Sequence, residues 1–225
     1  MTEATPDRPQ PFGAKMGWLA VRSSEPREVA NTLKIESLQP SSWSHGIRAV
    51  YEDSDAIFVT PAIEGWTMVA GFGLGLELEE VDGRWRHELE RLSERFGDAQ
   101  HFATHRVAEF HGWARATNGE IRRAFAYLGE SGEILFDEGP RSDAELELGF
   151  DLAELPSDCD EDPDPVDNTP SEESVFSLAR SWSTCPMDLE DSSATPSLGW
   201  LRHIPRTVPP SPPPQAARRP WWRLW

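Results

Sequence analysis

Lysine is almost missing from this chain. Only Lys15 and Lys34 occur among its 225 residues, so arginine carries nearly all the positive charge. Cysteine is as scarce, with Cys159 and Cys185 alone. Neither stands in a C-x-x-C pair or beside a histidine, which removes zinc ribbons and thioredoxin-like redox chemistry. No apolar run approaches the about 18 residues of a spanning helix. The opening MTEATPDRPQPFGAK lacks the basic-then-apolar order of a secretory signal. These absences predict a cytoplasmic protein with reduced thiols. A nucleotide fingerprint is missing too. In Gly71-Phe72-Gly73-Leu74-Gly75 the third glycine of G-x-G-x-x-G would fall on Leu76, and LELEEVDG follows where a helix should open. Asp158, Asp160, Asp162 and Asp164 alternate, but Pro163 and Thr169 stand where a calcium loop needs glycine and glutamate. No cofactor and no metal is expected.

What the chain has in excess is negative charge, −18 in all. Residues 1–150 carry −11, residues 151–201 carry −12, and residues 202–225 carry +5. An acidic body repels phosphate backbones, so nucleic acid is not expected as a partner. A basic protein would instead be steered in over long range.

Residues 99–139 are the clearest structural signal. Asn118-Gly119 is a strong hairpin turn, because a type I′ turn needs positive φ at both central residues. Ser131-Gly132 marks a second turn, so the stretch reads as three strands. Taken back from Thr117 opposite Glu120, the register sets Arg115 opposite Arg122 and Trp113 opposite Ala124. Upstream, 16–22 reads as a strand, Ser24 as the cap of a helix with Pro26 in its first turn, and 39–46 as a loop. Residues 46–52 and 56–60 read as strands, and 66–72 as an almost wholly apolar, central strand. Trp85, Leu89, Leu92 and Phe96 recur at helical spacing over 84–96, with Gly97 as the stop. A short helix is expected at 142–149, and a capped one at 171–182.

The expected organisation is a disordered N-terminus (1–14), an α+β domain (15–150), an acidic linker (151–173), a docking helix and loop (174–203), and a Pro/Arg/Trp tail (204–225). The fold class is α+β, a mostly antiparallel sheet of six or seven strands with helices packed on one face, followed by a disordered Pro-rich C-terminal tail.

Candidate chemistry is thin. Were 101–111 one continuous strand, His101, His105, Glu109 and His111 would share a face. His101 and His105 would then lie about 13 Å apart, too far to share a metal. Glu109 and His111, with His105, remain candidates for an acid–base pair. Ten tryptophans are more telling. Trp43 and Trp200 fall in predicted loops and are candidate interface anchors. Trp221, Trp222 and Trp225, interleaved with arginines, are candidate contacts to a membrane surface or an acidic protein surface.

The segments GWLAVRS, GWTMVAG, THRVAEFHGWARATNGEIRRAFAYLGESGEILFDEG and SLGW resemble a set of uncharacterised bacterial proteins over residues 15–202. The resemblance implies no activity. Small acidic bacterial proteins of this type include immunity proteins, by analogy of type alone. The sequence thus predicts a non-enzymatic interaction module, an immunity-type protein that binds a basic partner. The alternative is an enzyme of unrecognised type using Glu109 and His111 on the central hairpin.

Overall fold

Two alternating rows of side chains explain the architecture of the computed structural model, which describes residues 4–80, 83–150 and 169–202. Nine strands form one sheet: β1 (Gly17–Val21), β2 (Gln39–Ser42), β3 (Ile57–Val59), β4 (Thr67–Ala70), β5 (Asp98–His105), β6 (Phe110–Thr117), β7 (Glu120–Leu128), β8 (Glu133–Glu138) and β9 (Leu198–Arg202). Their order is β2-β9-β3-β4-β1-β5-β6-β7-β8, and the neighbouring pairs run antiparallel. Five helices accompany them: α1 (Pro26–Thr32), α2 (Trp43–Glu52), α3 (Arg84–Phe96), α4 (Asp143–Leu148) and α5 (Glu172–Trp182).

Successive strand residues face opposite ways. Trp18, Phe58, Phe102, Trp113 and Phe125 project to one face, where α2, α4 and α5 cover them. Leu19, Val59, Ala114 and Ala124 project to the other, against Trp85, Leu89 and Leu92 of α3 and Val29 and Ala30 of α1. The central strands are therefore buried on both sides, which is why β4 reads as almost wholly apolar. The α+β reading and the large antiparallel sheet stand.

Several local readings change. The first strand of the predicted meander is two, because the chain reverses at Arg106–Glu109 with Glu109 at φ 48°. Residues 46–52 belong to helix α2, not a strand. The Ser42 hydroxyl caps it by accepting from the His45 N–H, and Gly46 lets the helix lie on Phe58. The cap position of α1 is Glu25 rather than Ser24. In the β6–β7 hairpin a bulge between Arg115 and Ala116, which leaves Arg122 unpaired on β7, slips the register by one. Arg115 now faces Arg123, Trp113 faces Phe125, and the last two rings stack at 4.6 Å. Arg115 binds Asp98, and Arg123 binds Asp137 and Glu145, so the like-charge pair is neutralised.

Of the N-terminal segment expected to be disordered (1–14), residues 7–14 pack against the domain. Asp7 accepts hydrogen bonds from the Trp43 and Ser44 N–H groups at 2.6 and 3.0 Å, serving the free donors at the start of α2. Phe12 is buried beside α5. The 174–203 segment contributes most of α5 and also β9, which inserts between β2 and β3. Most of the acidic linker (151–168) and the Pro/Arg/Trp tail lie outside the described residues, as do Trp221, Trp222 and Trp225. Among the described residues no helix is long and apolar enough to cross a membrane.

Candidate functional site

Antiparallel pairing gathers one set of connections at one end of the sheet. The start of β1, the end of β4, the β5–β6 turn and the β7–β8 turn all lie there. The two turns are joined by backbone: the Gly129 N–H donates to the Glu109 carbonyl at 3.0 Å, and Glu130 N–H to that of Ala108 at 3.4 Å. Gly129 permits this approach, since a Cβ there would come within 2.8 Å of that of Glu109. Val107, at the tip, is 86% exposed. Phe72, just past β4, and Tyr51, on the last turn of α2, are also exposed. Carboxylates surround them: Glu77, Glu79, Glu109, Glu130 and Glu133 are all exposed.

The candidate trio Glu109, His111 and His105 meets at this end but does not converge. The turn at 106–109 breaks the two-residue alternation on which a shared face depended. His105 pairs with Phe110 and projects to the α3 side, exposed. His111 pairs with Thr104 and projects to the α5 side, buried. Glu109 sits in the turn itself, and its charge, after burial, helps to raise the hydroxyl pKa of Tyr127.

His111 belongs to a different group of residues. Its Nδ1 lies 3.2 Å from the Thr104 hydroxyl, which in turn donates to Glu172 Oε2 at 3.4 Å. Thr104 therefore accepts from a protonated Nδ1. The Glu172 carboxylate also takes two hydrogen bonds on Oε1 from Arg106, and one on Oε2 from the Lys15 backbone N–H. This network ties the first turn of α5 to the sheet. Burial pushes the His111 imidazole down to about 4, against the upward pull of Glu172. Nothing in sequence spacing connects Glu172 to His111.

On the α3 side, His101 is buried and close to Trp85, and burial pushes its imidazole down to about 3. It lines a cavity of about 60 Å³ with Gly17 and Ala103 of the sheet and the Gly71–Leu78 segment. That segment is no phosphate loop. Gly71 (φ 122°) lets the chain pass within reach of the Ala56 carbonyl, a short 3₁₀ turn follows at Phe72–Leu74, and Leu76 and Leu78 are buried against the sheet. Glu79 is near His105, and although it reaches solvent, the partial desolvation of its carboxyl raises the pKa. Among the described residues no three His, Cys, Asp or Glu side chains are placed to hold one metal ion.

The two described tryptophan anchors are not free. Trp43 is wholly buried at the head of α2, edge-on to Phe58, with its indole N–H on the Ser197 hydroxyl. It is a core residue because position 43 opens a helix and not a loop. Trp200 lies in β9, half-buried, with the Arg27 guanidinium 3.8 Å above its ring. No family model matches the chain, and no curated protein and no solved structure matches it.

Proposed function

We propose that this chain is a non-enzymatic interaction module that receives a basic protein on the acidic end of its sheet, most concretely as a bacterial immunity-type protein. One observation carries the reading. Tyr51, Phe72 and Val107 are three of the five large exposed apolar residues among the described ones, and all three stand at the end where the carboxylates gather. Apolar residues supply most of the binding energy where they enter a partner's pockets, and the surrounding field sets the rate and the choice of partner. The cations at this end are largely engaged. Arg106 is held by Glu172, and Arg202 donates to the carbonyls of Asp55 and Gly73. The surplus of negative charge therefore faces outward, suited to a partner rich in Lys and Arg.

The test is affinity capture by the immobilised full chain from its own cell extract, at low and at high ionic strength. Three variants accompany it: Phe72→Asp/Val107→Asp, Glu109→Lys/Glu130→Lys/Glu133→Lys, and Glu64→Lys at the opposite end as a control. A basic protein held by wild type and by Glu64→Lys, released by salt and lost in both other variants, supports the reading. Retention that ignores both variants, or no retention at low salt, overturns it.

A further inference from the structure

A buried histidine without a partner stands at the floor of an apolar cavity. His101 is 3% exposed, and its Nδ1 has no hydrogen-bond partner. The ring reaches the cavity on the Gly17 side. Its Nε2 lies 3.5 Å from the point that a Cβ on Gly17 would occupy, beside the Phe102 carbonyl and the Ala103 methyl. Glycine at position 17 thus leaves open the space next to that nitrogen.

Its apolar walls are Met16, Leu74, Leu76, Leu78 and Ala103, and the cavity is open to solvent on one side. Glu77 and Glu79 are the only acids on its lining. This combination selects a ligand class. Anions are repelled by the two carboxylates. Cations find no counter-charge on the apolar floor, where burying an unpaired charge is prohibitive. A hydroxyl both donates and accepts, so it can pair with Nε2, the nitrogen at the Gly17 opening, in either tautomer.

We infer that the cleft between β1, β5 and the Gly71–Leu78 segment binds a small, uncharged, mainly apolar molecule that carries a hydroxyl, with the hydroxyl on His101 and the apolar body against Leu74, Leu76 and Leu78. The site adjoins the acidic end, with Phe72, Glu77 and Glu79 on its rim, but does not depend on the docking of a basic protein. Small-molecule sites are commonly of this make, apolar with a single well-placed polar group.

The experiment titrates the full-length ¹⁵N-labelled protein with phenol, toluene, benzoate and benzylamine, and follows amide and imidazole resonances. Phenol is expected to shift the amides of Gly17, Ala103 and Leu78 and the ¹⁵N signal of His101. It should bind about fivefold tighter than toluene, the worth of one net hydrogen bond. Benzoate and benzylamine should leave these signals in place. Gly17→Val, which puts a side chain into the opening, should abolish the phenol shifts, and His101→Phe should bring phenol and toluene to equal affinity. The inference is overturned if phenol leaves these resonances unmoved, if toluene binds as tightly as phenol to wild type, or if either charged probe binds as well. The comparison of probes on wild type needs no variant to fold.

Discussion

Two histidines sit where burial opposes their protonation, and acid should therefore weaken the fold well above the carboxylate range. His101 is held near 3 and His111 near 4, while an unfolded chain protonates histidine near 6.5. A depressed folded value means that stability is complete above the unfolded value and is lost as the pH falls towards the folded one. Between pH 7 and pH 5 the unfolded chain gains a proton at position 101 that the native state refuses, a loss of about 2 kcal/mol. At His111 solvent screening and the neighbouring Glu172 charge cut the share to roughly 1 kcal/mol. The expected fall is thus about 3 kcal/mol, a large fraction of the stability of an ordinary domain. Glu138 and Asp188 are held low by Arg86 and Arg180, so their losses begin at lower pH. Glu79, raised by burial, acts in the opposite sense but equally in wild type and variants. Urea unfolding at pH 7, 6 and 5 measures the effect. His101→Phe should remove about two-thirds of the fall. A wild type that loses under 1 kcal/mol, or a His101→Phe protein that keeps the whole fall, would refute the argument.

The buried ion pair offers a second handle. Glu145 accepts from Arg123 and from the Trp113 indole at 2.7 Å, and both charged groups are almost wholly buried. Glu145→Ala should cost about 3 kcal/mol in urea unfolding, near the low end for a stranded buried charge because Asp137 still holds Arg123. The double change Arg123→Met/Glu145→Leu should recover most of that loss, and a double variant no better than the single one would count against the account. Asp7→Ala removes the acceptor for two N–H groups of α2 and should cost about 1 kcal/mol. The same change should increase hydrogen exchange at Trp43 and Ser44, and unaltered exchange there would show that Asp7 does not hold the helix start.

How much of this could be read from the chain depends on whether the signal was local. The helix at 84–96 declared itself because Trp85, Leu89, Leu92 and Phe96 repeat at its own period and Gly97 ends it at φ 87°. The Asn118-Gly119 turn did so because its chemistry is confined to two residues. Errors arose where a distant contact decided the outcome. Helix α2 looked like a strand because Ile47, Val50 and Tyr51 favour strands, whereas its start depends on Asp7, some 36 residues away. The bulge near Arg122 follows from the pairing of Trp113 with Phe125 and of Arg123 with Glu145, neither visible at short range. The site suffered most. Arg106-Val107-Ala108-Glu109 holds no Gly, Pro, Asn or Asp, so its reversal leaves no mark in the sequence, and His105 and His111 keep the spacing of a shared strand face. That single unmarked turn puts His105 and His111 on opposite faces and lifts Val107 out as the tip of an acidic end. In LELEE the alternation of Leu76 and Leu78 with Glu77 and Glu79 marks a half-buried segment, apolar side to the sheet, which closes in a turn from Glu77 to Glu80. Read that way, the segment is the outer wall of the cleft over His101. The glycines before it then set the path of that wall, with Gly71 and Gly75 at backbone angles that other residues rarely adopt.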